Sequence, residues 1–381
     1  MVWIMEVRRK LFCFRCGSFF RCGSLLFDIR PKRRRADLYD FDEEYGRLVR
    51  FLREPLVVVR GLRRTGKTSL ILTVLEEEEV PYILLDLREG FRSRRELYKA
   101  LSKGLTEFLR KLSSRRRILY GLIRSLRFLR GVSISGFQIQ LSWGRNRPLL
   151  TEVFREIDYF SGREGWKTVI VVDEVQRASG IVKTELMNAI SYCFDYMENL
   201  TFILSGSEMG LLYSILGNPE SPLYGRAYVE VATRKLTRQE AEDFLTKGFE
   251  EVGLSVSEEE IAEAVEVLDG IIGWLTYYGY SKYVGGRSLS EIFSEAVKLA
   301  RRELENFLET RVSRRYRFVL KMLSRNIREW GALKRKLEEY EGRTISDRVL
   351  HEILTNLKKH SIINDKLEYT DPVVREAAKQ L

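Results

Sequence analysis

The chain has 381 residues, 44% of them hydrophobic, which fits two or three globular domains and excludes a disordered chain. No apolar run approaches the roughly 20 residues that a membrane helix needs, and Arg15 and Arg21 interrupt the apolar stretch near the N-terminus. We therefore expect no membrane span, no signal peptide and a cytoplasmic location. The net charge is +11, with +8 over residues 1–35 and +7 over residues 311–381.

Residues 1–26 form an N-terminal extension that holds three of the four cysteines, Cys13, Cys16 and Cys22, with Cys193 far away. This distribution excludes a disulfide framework. The three cysteines could supply metal ligands, but no fourth ligand is evident nearby. A zinc site and a poorly structured extension are therefore both open.

Residues 27–235 begin with an irregular basic segment at 27–35, here called the leader. Short buried strands then alternate with helices. This alternation predicts an α/β fold, a parallel sheet with helices on both faces. The predicted strands are 56–60, 82–87, 168–173, 201–205 and 228–231, and the predicted helices are about 42–53, 68–75, 93–112 and 148–162. Between them, 113–131 is a basic stretch with apolar residues at helical spacing. Residues 132–143 alternate apolar and polar residues and predict a hairpin.

The strand at 56–60 runs into a Gly-x-x-x-x-Gly-Lys-Thr motif that opens a helix, which predicts a phosphate-binding P-loop. Its glycines let backbone N–H groups point at phosphate oxygens, and the helix adds its positive N-terminal end. Lys67 is expected to reach the β- and γ-phosphates and to act in catalysis, and the Thr68 hydroxyl to ligate magnesium. The predicted nucleotide-binding residues are Gly61, Leu62, Arg63, Arg64, Thr65, Gly66, Lys67, Thr68 and Ser69.

The strand at 168–173 ends in two carboxylates and has the form of a Walker B motif. Asp173 is expected to hold magnesium, directly or through water, and Glu174 to polarise the attacking water as general base. An exposed acidic pair at a strand end is the alternative for such a motif alone. Together with the P-loop it indicates hydrolysis of a nucleoside triphosphate. We expect ATP with Mg²⁺, although no motif separates adenine from guanine.

Two polar positions beyond the carboxylates leave alternatives open. Ser205 and Ser207 end the fourth strand, either to sense the γ-phosphate or to form a strand-end turn. Arg226 precedes the fifth strand and is either a catalytic arginine that stabilises charge on the phosphate or a surface residue. The histidines, His351 and His360, are predicted to be structural.

Residues 236–310 are predicted to be an all-helical lid. Residues 311–381 show helical patterns at 313–325, 328–339 and 345–359, followed by a small hairpin at 362–369, which is the layout of a winged helix. In that arrangement the recognition helix is 345–359, and it carries Arg348, Lys358 and Lys359.

These motifs together resemble the archaeal ATPase family of the STAND class of P-loop NTPases, which is related to AAA+ and origin-recognition ATPases. The resemblance covers residues 27–381 and rests on the runs 27–32, 61–69, 172–176, 222–226 and 270–275. It implies an AAA+-like sheet in which another strand separates the P-loop strand from the Walker B strand, a helical lid and a C-terminal winged helix. It also implies that Arg226 lies near the γ-phosphate and that the turn at 270–274 meets the nucleotide. Leu62 and Ile272 stand where the family often has proline.

We expect an ATPase whose nucleotide state controls binding of duplex DNA through residues 311–381, or of a protein partner or a second copy. The basic ends favour an anionic partner, nucleic acid before acidic lipid, although a thermophile-like surface would also be rich in charge. The alternative function is a non-hydrolysing ATP-binding scaffold or protein-interaction module. Glu174 favours hydrolysis, because a scaffold does not need a carboxylate there.

Overall fold

The computed structural model describes residues 10–12, 19–21, 26–88, 91–309 and 314–381. The candidate metal ligands Cys13, Cys16 and Cys22 lie outside the described residues, as does the predicted boundary between lid and winged helix at 310–311. None of the described helices is long and apolar enough to cross a membrane.

The described strands are β1 (Lys10–Phe12), β2 (Phe19–Arg21), β3 (Leu56–Arg60), β4 (Tyr82–Asp86), β5 (Val132–Ser135), β6 (Gln138–Leu141), β7 (Thr168–Asp173), β8 (Leu200–Gly206) and β9 (Val229–Ala232). The described helices of the core are α1 (Asp42–Phe51), α2 (Lys67–Glu77), α3 (Arg94–Lys111), α4 (Arg116–Arg127), α5 (Leu150–Glu164), α6 (Gly180–Tyr196) and α7 (Met209–Gly217). Those that follow are α8 (Arg238–Glu251), α9 (Glu258–Leu268), α10 (Ile272–Gly285), α11 (Leu289–Glu309), α12 (Arg314–Ser324), α13 (Trp330–Glu341), α14 (Asp347–Lys359) and α15 (Pro372–Lys379).

The central sheet has five parallel strands in the order β4-β7-β8-β3-β9. β8 separates the P-loop strand β3 from β7, so the expected AAA+-like order is confirmed. Every residue of β7 and β8 is buried, because helices cover both faces of the sheet. Val57 and Val59 pack on the side of α1 and α2, whereas Leu56 and Val58 pack on the side of α3 to α6.

The lid, α8 to α11, shares one continuous hydrophobic core with the winged-helix region, α12 to α15. The leader joins this core through Phe27, which is 1% exposed. The ring of Phe27 lies 5.8 Å from that of Phe244 and 4.9 Å from that of Phe249. A Cβ at Gly248 or Gly279 would collide with the Phe27 ring, so both helices approach it at glycine.

The C-terminal region differs from the sequence prediction in two ways. The hairpin expected at 362–369 is reduced to a single antiparallel bridge between Ile363 and Tyr369. The Asn364 carboxamide accepts hydrogen bonds from the backbone of Lys366 and Glu368 and closes a tight turn. Ser361 and Leu367 have φ values of +54° and +58°, so the chain leaves the extended conformation on both arms and the ladder stays short. The short helix α15 follows, which the sequence analysis missed. It is capped by Asp371 and packs on α11 and α12.

Candidate nucleotide-binding and hydrolysis site

The P-loop joins β3 to α2 and is anchored to the residue that follows β9. The Thr65 hydroxyl donates to the backbone oxygen of Leu62 at 2.7 Å and lies 2.7 Å from the hydroxyl of Thr233. A side chain at Gly61 would collide with Thr233, and Gly66 has a φ of +84°, a value that L side chains rarely adopt. Both motif glycines are therefore required by this loop shape.

Lys67 is only 5% exposed and lies over the inside of the loop. Its ammonium group donates to the backbone oxygens of Gly61 at 3.0 Å and Leu62 at 2.7 Å. Burial lowers the pKa of Lys67, and the carboxylates of Glu174 and Asp173 oppose that shift. The lysine is thus held at the position where phosphate oxygens would replace two loop carbonyls as its partners.

Asp173 lies at the end of β7, opposite the first turn of α2. Its Oδ2 accepts from the Thr68 hydroxyl at 2.9 Å, and its Oδ1 accepts from the Ser205 hydroxyl. Burial raises the pKa of Asp173 and the Glu174 carboxylate raises it further, while the hydrogen bonds from Ser205 and Thr68 act in the opposite direction. A carboxylate next to a hydroxyl is the hard oxygen set that Mg²⁺ prefers, so these residues fit that ion.

Glu174 has a φ of +56°, a conformation that is rare outside glycine and that functional sites often hold. Its Oε2 accepts from the Ser207 hydroxyl at 2.7 Å and from the Gln176 carboxamide. Ser207 and Gln176 therefore orient the carboxylate. The sequence analysis gave Gln176 no role, and it left Ser207 between a phosphate sensor and a turn. The structure shows that Ser207 contacts the neighbouring acid.

A pocket of about 410 Å³ extends from the P-loop between the leader and the lid. The backbone N–H of Lys32 in the leader donates to the Ser69 hydroxyl at 3.1 Å, which fixes this wall to α2. The pocket is lined by residues of the leader, the P-loop and α10, among them Ile29, Pro31, Phe41, Lys67, Ile272 and Tyr277. Sequence analysis found no base-binding motif here, because the wall is assembled from segments far apart in the chain.

The lid reaches the P-loop directly. The backbone N–H of Gly273 donates to the backbone oxygen of Arg64 at 2.9 Å, and the Arg64 guanidinium stacks on the Trp274 ring at 3.9 Å. Glu303 on α11 pairs with Arg64 at 2.6 Å and with Arg63 at 3.2 Å. In this conformation both arginines, which are predicted to bind nucleotide, therefore pair with an acidic side chain of the lid.

Arg226 lies away from these groups. Its guanidinium pairs with Asp195 at the end of α6 at 2.6 Å, donates to the backbone oxygen of Pro222 and lies 5.8 Å from the Phe194 ring. Among the described residues, none of its contacts is with the P-loop, Asp173 or Glu174.

The two histidines, which are predicted to be structural, lie in the C-terminal region. His351 lies near the Trp330 ring, and the Nδ1 of His360 pairs with Glu208 of the core at 2.6 Å. That pair reinforces the ionised form of Glu208, so the pKa of Glu208 lies below its usual value although burial opposes the shift.

The sheet order, the P-loop after β3 and the carboxylates after β7 define a P-loop NTPase with a C-terminal winged helix. A family model described as "ATPase domain predominantly from Archaea" matches residues 43–277. The chain belongs to this family of archaeal ATPase domains. Residues 311–370 match a model described as the MCM protein C-terminal winged helix-turn-helix domain.

Solved structures agree with this assignment. The Walker-type ATPase PABY2304 of Pyrococcus abyssi is 33% identical with a TM-score of 0.76, and the match covers 93% of this chain and 100% of that chain. The ORC2 protein of Aeropyrum pernix, solved in ADPNP–ADP complexes, is 13% identical with a TM-score of 0.55, covering 93% and 96%, and it shares the fold. No match was found among the curated proteins.

Proposed function

We propose that the protein is a Mg²⁺-dependent ATPase that acts as a nucleotide-dependent switch of the STAND type, coupled to duplex DNA or protein binding through its winged helix. The observation that carries the proposal is the arrangement around the β8–α7 loop. Ser207 holds the candidate base Glu174, and the next residue, Glu208, pairs with His360 directly after α14.

Each residue of the site has a distinct part in the proposed reaction. Lys67 transfers its hydrogen bonds from loop carbonyls to the β- and γ-phosphates, and Thr68 and Asp173 hold the magnesium ion. That ion, when bound, neutralises phosphate charge. Glu174 takes the proton of the attacking water while Ser207 and Gln176 keep its carboxylate oriented. The remaining nucleotide-binding residues of the loop, 61–69, contribute backbone N–H groups to the phosphates.

Arg226 remains the proposed arginine for the γ-phosphate. Its contacts with α6 and its own loop favour action on the nucleotide of a neighbouring copy over action on its own. Self-association in the ATP-bound state is therefore part of the proposal.

The β8–α7 loop is the proposed path of the signal. Three consecutive residues make the contacts. Ser207 contacts the candidate base Glu174, and Glu208 pairs with His360. The backbone N–H of Met209 donates to the Ser361 hydroxyl at 2.9 Å. Loss of the γ-phosphate would change the surroundings of the Glu174 carboxylate. Its partner Ser207 is adjacent in the chain to Glu208, which pairs with His360 of the winged-helix region. A shift of this loop would therefore move both groups together.

The proposed duplex surface is α14, where Arg348 and Lys359 are exposed and Lys358 lies near Asp365 at 3.3 Å. The C-terminal end of α14 packs on α7, because Gly210 leaves room for the backbone of Lys359. In this conformation the core therefore covers one end of the recognition helix. Release of the Glu208–His360 pair would uncover it.

Multiple-turnover phosphate release, measured with Mg²⁺ and ATP, with and without duplex DNA, tests the function. Molecular mass measured with bound nucleotide tests self-association. We expect steady turnover that responds to duplex, with duplex binding that weakens steeply as salt rises. A chain that binds ATP tightly but forms no phosphate, even in a single turnover, would be the non-hydrolysing scaffold instead.

A further inference from the structure

Residues 115–147, here called the basic insertion, connect α3 to α5 and contain eight arginines and no aspartate, glutamate or lysine. The average over the middle of the chain conceals this charge, because residues 36–310 together carry about −4. The insertion folds as α4 followed by the β5–β6 hairpin, and the nucleotide site described above uses none of it.

Helix α4 turns one face to the core and the other to solvent. Leu119, Leu122 and Leu126 are buried in the main hydrophobic cluster. The opposite face carries exposed arginines and aromatic side chains that recur three or four residues apart and continue to the residue after the helix: Arg117, Tyr120, Arg124, Arg127 and Phe128. Tyr120 is 67% exposed and Phe128 is 81% exposed, which is unusual for rings of this size.

The hairpin extends this surface. The guanidinium of Arg127 donates to the backbone oxygen of Ile134 at 3.2 Å and so joins the end of α4 to β5. Phe137 stands at the hairpin tip and is 42% exposed. The side chains that alternate outward along both strands are uncharged and polar: Ser133, Ser135, Gln138 and Gln140.

The exposed arginines of α4, Arg117, Arg124 and Arg127, have no carboxylate partner among the described residues. Among the described residues, Arg117 and Arg124 make no ion pair or hydrogen bond, and no acidic residue stands in the insertion to provide one. Arg147, at the far end, is by contrast already paired with Glu185 at 3.4 Å. The positive charge of the α4 face is therefore available to an anionic partner.

We propose that the basic insertion binds a single-stranded nucleic acid, with arginines on its phosphates and exposed rings stacked on its bases. Arginines interleaved with exposed aromatic rings are the combination that single strands use, whereas paired bases in a duplex offer no free faces for stacking. An acidic membrane fits less well, because the leucine face of α4 is already buried in the core and leaves only separate rings, not a continuous apolar face, to insert.

The test is fluorescence anisotropy of the full chain with a labelled oligothymidylate of about 20 nucleotides, longer than the site of one such module, over a series of salt concentrations. Arg117→Gln/Arg124→Gln removes two phosphate contacts, so the slope of log K against log salt should become shallower by about 1.4. Tyr120→Ala removes a stacking surface and should weaken binding about tenfold with an unchanged slope.

The matched control is Arg50→Gln/Arg53→Gln, which removes the same charge from exposed positions in and after α1 and should bind as the wild type does. A duplex of the same length should bind the wild type more weakly and should be indifferent to Tyr120→Ala. ATP turnover at the wild-type rate in every variant shows that each is folded, and it separates this proposal from the hydrolysis proposal.

Three results would overturn the proposal: no binding of the single strand at low salt, an equal loss in the control pair, or loss only on Arg348→Gln/Lys359→Gln in α14. If acidic vesicles bind in place of the oligonucleotide, with the same sensitivity to Arg117→Gln/Arg124→Gln, the surface is a lipid-binding one and the nucleic-acid assignment is wrong.

Discussion

Lys67, Asp173 and Glu174 contact different groups, so their substitution should separate binding from chemistry. Lys67→Ala should weaken ATP binding and turnover together, because in the proposed reaction the ammonium contacts phosphate both before and during hydrolysis. Glu174→Gln keeps the size and the oxygen that Ser207 contacts but removes the base, so it should bind ATP normally and hydrolyse it at least about 10²-fold more slowly. Asp173→Asn should lose the Mg²⁺-dependent part of the affinity. Nucleotide affinity with and without Mg²⁺, beside phosphate release, checks all three.

Ser205→Ala is a useful comparison, because the Ser205 hydroxyl donates to the Asp173 carboxylate but meets only the backbone N–H of Glu174, at 3.4 Å, and not its carboxylate. Ser205→Ala should change how ATP turnover depends on Mg²⁺ concentration more than it changes the turnover rate in the pH range where that rate is constant. If Glu174→Gln turns over ATP at the wild-type rate, the base lies elsewhere.

Arg226→Ala tests the proposed action between copies. Turnover should fall by about 10²-fold while ATP affinity changes little, because the guanidinium would meet charge that develops only during reaction. Wild-type activity should rise with protein concentration, and a mixture of Arg226→Ala with Glu174→Gln should recover part of it. Unchanged turnover in Arg226→Ala would leave the arginine as a partner of Asp195 on the surface.

At the scale of elements, α10 meets the backbone of the P-loop at Gly273, whose N–H donates to the Arg64 backbone oxygen. A Cβ at Gly273 would lie 2.6 Å from the Arg64 Cβ and 2.9 Å from its backbone oxygen. Gly273→Ala should push α10 off the loop at a cost of about 1–3 kcal/mol and weaken ATP binding. Isothermal titration with ATP measures this. Gly46→Ala, in α1 with nothing within 4 Å of the new methyl group, should leave the affinity unchanged.

Much of the core could be predicted from the sequence, since short β-branched strands and the P-loop are local patterns. The strand at 56–60 and the strand at 168–173 have the predicted bounds. The pocket beside the P-loop could not be predicted, because its wall is formed where Lys32 contacts Ser69, 37 residues further along the chain. Helix α15 was missed for a related reason: eight residues give too short a pattern, and its burial depends on α11 and α12.

At the scale of the whole molecule, a buried chain of contacts joins the P-loop to the C-terminal region. Arg64 stacks on Trp274, and the Trp274 indole donates to Asp371 at 2.9 Å. The other Asp371 oxygen caps α15 by accepting from the backbone of Val373 at 2.8 Å. Trp274 of the lid thus contacts both Arg64 of the P-loop and Asp371 of the C-terminal region.

Asp371→Ala should lower the free energy of unfolding by about 1–3 kcal/mol, because it removes a helix cap and leaves a buried indole N–H without its acceptor. Asp371→Asn can keep both roles, so it should lose much less. Denaturant titration of the full chain compares them, and equal losses in the two variants would show that the negative charge itself is needed.

Phe27 and Lys32 hold the leader to opposite sides of the pocket, Phe27 within the lid core and Lys32 on α2. The leader would cover a nucleotide whose base occupies that pocket. ADP should therefore dissociate only when the Phe27 packing or the Lys32–Ser69 hydrogen bond is broken. ADP release would then be the rate-limiting step of the cycle, and the ADP-bound state would predominate during turnover. Release of a fluorescent ADP analogue should be slower than phosphate formation in a single turnover, and Phe27→Ala should speed up that release. If ADP release is faster than phosphate formation in the wild type, hydrolysis is the rate-limiting step instead.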